Sequence, residues 1–206
     1  MKEAPEYINS LLPAGYTICG VRLRPFSLGS YILLLKSLSP FVDCNNPRMP
    51  IYEDLLYAVY VCSHTYEEGA ELEYNIDKAK EWGKAFSEEL YKEIDRFQKE
   101  TGEKWDIESE YVGFAEYIRY QLRYPYYTVL DNDGKSSGAH HIQNILLTAT
   151  SHLGYTRQEA LNGPIKALLY DYIWYAEKNG LVELFDEDQI DIIRDMERRK
   201  VEGEKV

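Results

Sequence analysis

Apolar residues recur at three- and four-residue spacing over most of the chain, a period that predicts a mainly α protein. The densest pattern lies in residues 154–184. There Ile165, Leu168, Leu169, Tyr172, Ile173 and Ala176 mark one face of a helix, while Ala167, Tyr170 and Trp174 mark the opposite face. A helix apolar on two sides is either sandwiched between neighbours or keeps one side for a partner. Thr156 followed by Glu159 has capping-box spacing, and Asn179–Gly180 next to Lys178 marks the other end. Asn162–Gly163 divides off a short first helix, and Pro164 suits the first position of the longer one.

Taken in order, residues 4–12 read as a short leading helix broken by Pro13 and Gly15. The period then changes to two: Thr17, Cys19, Val21 and Leu23 alternate with Ile18, Gly20, Arg22 and Arg24, predicting a strand that Pro25 ends. Its expected partner is Tyr126–Leu130, which precedes the turn sequence Asp131-Asn132-Asp133-Gly134. Ser27 caps a helix over 28–38, Pro40 stops it, and 42–49 is a loop. Pro50 opens an internal helix over 51–64, and 64–74 reads as a polar connection.

The longest helix is expected over 77–99, with Ala79, Trp82, Gly83, Phe86, Leu90, Ile94 and Phe97 on one buried stripe. Glu88–Lys92 and Asp95–Lys99 should pair on its charged back. A helix over 107–123 ends before Pro125, a loop covers 131–141, and a helix over 141–152 carries Ile142, Ile145, Leu146 and Ala149 on one side. Asp186 caps a last helix over 187–200, and residues 201–206 fray. No repeat of fixed period and no low-complexity linker interrupts the chain. The expected architecture is therefore a single helical domain over 1–206, with about seven helices and a small β-strand pair or hairpin.

Composition narrows the setting. Cys19, Cys44 and Cys62 are odd in number and form no CxxC pair, which predicts core thiols in a reducing cytoplasm. Residues 1–15 contain an acid at Glu3 and no long apolar region, unlike a secretory signal. The longest apolar runs, 31–35 and 55–62, fall well short of the roughly 20 residues of a bilayer crossing, so no membrane span is expected. A net charge of -12 repels phosphate backbones and argues against duplex nucleic acid as a partner. Tyrosine outnumbers phenylalanine by 19 to 6, and its apolar ring with a polar tip suits half-buried seams and interfaces.

Motifs for chemistry are weak. His140, His141 and His152 do not set three ligands on one helix face, so no zinc site is predicted. Gly134-Lys135-Ser136 resembles the end of a P-loop, but Val129 stands where its first glycine is needed. Asp131, Asp133 and Gly134 fail the calcium-loop spacing. No serine sits in a nucleophile elbow, and neither Cys19 nor Cys62 has an activating motif, so the expectation is a non-enzymatic protein without cofactor or metal. The candidate partner-binding residues are aromatic. Tyr117, Tyr120, Tyr124 and Tyr127 are interleaved with Arg119 and Arg123, and Tyr170 and Trp174 add the second face of the 165–178 helix. The alternative for the tyrosine-rich stretch is packing of a helix end against a hairpin.

Two stretches carry a resemblance. GVRLRPFSLGSYILLLKSLSPF, residues 20–41, resembles the opening of small phage and prophage proteins, where a short strand leads through Arg-Pro and Leu-Gly into an apolar helix. GYTRQEALNGPIKALLY, residues 154–170, resembles the aromatic, EAL, proline, apolar-helix pattern of phage tail assembly chaperones and related tail-morphogenesis proteins. The resemblance implies a non-enzymatic role in the bacterial host cytoplasm: holding a tape-measure protein while tail subunits polymerise round it. Asn162–Gly163 departs from that pattern, where a bulkier residue is usual, and implies a hinge after the short helix. A virion component such as a head–tail connector, and a small hydrolase with paired carboxylates in a cleft, are the alternative readings. A helix-turn-helix reader fits poorly, because a recognition helix starting at Pro164 would carry one cation, Lys166, in its first three turns.

Overall fold

The computed structural model describes residues 15–43, 48–102, 104–123, 125–130, 141–185 and 187–201. The expected 4–12 helix, Cys44, the 131–140 loop with its turn and P-loop-like sequences, Asp186 and the tail from 202 lie outside them. The described chain is mainly helical with two small antiparallel strand pairs.

The first strand pair corrects the expected pairing. β1 (Thr17–Ile18) turns straight back onto β2 (Val21–Arg22), with Thr17 opposite Arg22 and Ile18 opposite Val21. Cys19 and Gly20 form the turn, both with positive φ (50° and 75°), the geometry that matches the twist of a two-residue hairpin. The alternating run therefore holds a turn in its middle. A Cβ on Gly20 would also collide with the Glu93 side chain. The Cys19 N–H donates to Glu110 Oε2 at 2.8 Å, which anchors the turn to a distant helix.

α1 (Leu28–Lys36) starts where Ser27 Oγ accepts the Ser30 N–H at 3.0 Å, as its sequence predicts. α2 (Tyr52–Ser63) is buried at Leu55 and from Ala58 to Cys62, again as expected of an internal helix. Pro50 sits outside that helix, ahead of its N-cap Ile51, rather than at its first position. Asp54 closes the start instead: its Oδ2 accepts the Ile51 N–H at 2.9 Å, and Arg48 holds both carboxylate oxygens at 2.5 and 2.6 Å.

The expected polar connection over 64–74 is instead a helix, α3 (Tyr66–Tyr74). Thr65 and Glu68 form a full capping box, and Leu72 and Gly69 turn inward while Glu67, Glu68 and Glu71 face water. α4 (Ile76–Thr101) is the longest helix. Phe86 and Leu90 on its stripe are buried, Trp82 and Ile94 are half-buried, and Phe97 reaches solvent, so the stripe outlasts the core it faces. Lys99 pairs with Asp95 as predicted, whereas Lys92 takes Glu89 rather than Glu88.

α5 (Ile107–Gln121) follows, capped by Asp106, then β3 (Tyr127–Val129). α6 (His141–Ser151), α7 (Arg157–Asn162), α8 (Ile165–Lys178), β4 (Val182–Leu184) and α9 (Glu187–Val201) complete the order. β3 pairs antiparallel with β4, Thr128 opposite Glu183, which gives the Tyr126–Leu130 stretch a different partner from the one expected. α6 buries Ile145 and Ala149 on its predicted side.

Close approach at Gly29 locks the first and last thirds together. A Cβ there would lie 2.7 Å from the Leu161 carbonyl and from the Tyr66 ring, so α1 meets α7 and α3 only because position 29 has no side chain. Next to it Ser27 bridges Pro164, and the Ile165 N–H donates to the Phe26 carbonyl at 2.8 Å. The main core then runs from the hairpin through α1, α2 and α5 to the first half of α8. A second, small cluster of Ile173, Ala176 and Val182 lies under the β3–β4 ribbon, with Tyr127, Tyr172 and Leu184 packed on it. Among the described residues no helix is long and apolar enough to cross a membrane.

Candidate partner-binding groove

α8 answers the two-face question by halves. From Ile165 to Tyr170 every residue is buried, including Lys166, whose Nζ lies 4.2 Å above the Tyr120 ring. Beyond Tyr170 only Ile173 and Ala176 are buried, on the first face. The helix is thus sandwiched over its first half and one-sided over its second.

Opposite Ile173, the second half of α8 forms the wall of an open groove of about 1090 Å³. Asp171, Trp174, Tyr175 and Lys178 line it from α8; His152, Leu153 and Tyr155 from the link between α6 and α7; Glu159 and Asn162 from α7, with Gly163 just beyond. The groove exists because the chain breaks at Gly163–Pro164, where extended backbone separates α7 from α8 and lets the two helices diverge.

Each wall is held by specific bonds. Thr156 donates both its N–H (2.8 Å) and its hydroxyl (2.7 Å) to Glu159 Oε2, so the predicted capping box is formed and holds the Glu159 carboxyl below its ordinary range. Asn162 bridges to α3: its Oδ1 accepts the Tyr66 N–H at 2.8 Å, and its Nδ2 donates to the Glu67 carboxylate at 3.0 and 3.2 Å. The Tyr155 hydroxyl donates to Asp171 Oδ2 at 2.6 Å, and the His152 ring stacks on Tyr175 with centroids 5.1 Å apart. The floor is therefore fixed and largely aromatic.

The structure scatters the predicted partner-binding residues. Tyr117 is a core residue, 1% exposed: its hydroxyl donates to the Arg24 carbonyl at 2.7 Å, its ring packs edge-on against Tyr16 and Phe26, and burial holds its pKa well up. Tyr170 is also enclosed, at 2%. Tyr120 is half-buried beneath Lys166, and Tyr127 packs on the small cluster. Tyr124 lies outside the described residues. Of the five described, Trp174 alone lines the groove. Its companions His152, Tyr155, Asp171, Tyr175 and Lys178 did not stand out in the sequence, because sorting α8 by apolar residues passes over a stripe that mixes charge with aromatics. The legible signal was the spacing 171, 174, 175, 178.

His141 packs edge-on to Tyr172 at one end of α6 and His152 lies at the other; among the described residues no three His, Cys, Asp or Glu groups gather to hold a metal ion. Burial pushes the Cys19 thiol up to about 12, with Glu110 adding to the shift, and burial raises Cys62 as well, so both are core thiols as predicted. Asp54 is lowered first by its hydrogen bond from Arg48, and Glu68 and Glu159 by the hydrogen bonds from the capping residues Thr65 and Thr156. Comparison with protein-family models, with curated proteins and with solved structures finds no match to this chain.

Proposed function

We propose that the protein is a non-enzymatic assembly factor of the phage tail-chaperone type, which holds a hydrophobic or helical protein client, such as a tape-measure protein, in the bacterial cytoplasm. One observation carries the reading: where the second face of α8 leaves the core, the half-buried Trp174 and Tyr175 line an open groove, Tyr175 with its ring stacked on His152. Aromatic side chains in such a position supply binding energy out of proportion to their number. The likeness of residues 154–170 to tail assembly chaperones, beside that of residues 20–41 to small phage and prophage proteins, supports the choice of client.

The test is co-expression with a tape-measure protein encoded beside the gene. The client should stay soluble with the wild type and precipitate with Trp174→Ala, while the variant melts near the wild-type temperature. A client equally soluble with both proteins, or a gene neighbourhood without tail genes, overturns the proposal. Purified virions should lack the protein by mass spectrometry, and its stoichiometric presence there would make it a virion component instead.

A further inference from the structure

We infer that the groove takes an amphipathic helix whose polar flank is basic, which rests on the client-binding reading and states the chemistry of its partner. Three observations converge. The α8 wall presents Asp171, Trp174, Tyr175 and Lys178 at helical spacing. This stripe is about 10 Å long at 1.5 Å per residue, so it meets anchors one and two turns apart on a second helix. The rim is acidic: Glu159 and Asp171 line the groove, and Glu67 is bound to the lining Asn162. Glu177, exposed, lies one turn on from Trp174. Lys178 is the only lysine or arginine among the described lining residues. The hydrogen bonds from Thr156 keep the Glu159 carboxyl ionised at neutral pH. Finally, the chain carries -12 overall, which draws a basic segment in and sets a second copy of this chain against like charge.

A random peptide display library, selected on the wild type and counter-selected on Trp174→Ala, reads the partner's chemistry directly. Enriched sequences should place apolar anchors at three- and four-residue spacing with lysine or arginine beside them. Fluorescein-labelled copies should bind wild type at least about tenfold more tightly than Trp174→Ala. Glu177→Lys should weaken the same peptides, and added salt should shrink that difference. Enriched peptides that need Trp174 but are neutral or acidic would leave the groove as a client site and overturn its basic preference. Enrichment that ignores Trp174, in variants shown by melting to be folded, would remove the groove as a docking site and the client-binding reading with it.

Discussion

The two apolar clusters share one helix and differ in depth. The main core surrounds the first half of α8 with the hairpin, α1, α2 and α5, and side chains such as Phe26, Leu28, Leu34 and Phe114 are fully enclosed. The second half of α8 has Ile173 and Ala176 beneath a two-stranded ribbon, with Val182 as the third buried member. A single helix thus joins a deep core to a thin one. Local opening follows the depth of packing, so the groove end of α8 should loosen well before the core end does.

The largest effect should come from Phe114→Ala, which empties a site 0% exposed and should cost about 3 to 5 kcal/mol in chemical denaturation. A loss under about 1 kcal/mol would mean that α5 is not a core element. Gly29→Ala comes next, because its Cβ meets a carbonyl and a ring at 2.7 Å; it should destabilise by about 1 to 3 kcal/mol, and a neutral result would break the α1–α7 contact. Ile173→Ala separates the clusters. Amides of β3, β4 and the last turns of α8 should exchange faster in hydrogen exchange, while those of α2 keep their protection. Uniform acceleration in both would merge the two clusters into one cooperative unit.

The smallest effect is at the caps. Thr156→Ala should cost about 1 kcal/mol. Because Glu159 has its pKa lowered by folding, the stability its ionised form contributes is present above the unfolded glutamate value of about 4.3 and is lost as pH falls through the lower folded value. The melting difference between wild type and Thr156→Ala should therefore be widest at neutral pH and narrow in acid. A difference independent of pH would mean that the carboxylate takes no part in the cap.

Most helices were legible because their period and caps agree, as at Ser27 and Thr156. α3 was missed although Thr65 and Glu68 carry the same signature as Thr156 and Glu159, because its few apolar positions hid the period. Strand pairing was misjudged for a physical reason: Cys19 in a left-handed turn is rare, and the three residues of β4 gain their place from Ile173 and Tyr127 rather than from their own pattern. Trp174 was legible as an odd aromatic on a second face. Its groove was not, since it depends on how far α7 swings from α8 at Gly163–Pro164, and on Asn162 reaching across to α3.

The bridge from Ser27 to Pro164 has a consequence for synthesis on the ribosome. Tyr66 and Tyr117 reach Gly29 and Phe26 earlier, but the cover from α7 and α8 comes only once Leu161 and Ile165 have been made, more than 130 residues later. At 5–20 residues per second that wait is roughly 7 to 26 seconds. During it the side of α1 that α7 will cover is open to the crowded cell, and the nascent chain is itself a client in need of shelter until its own last third arrives.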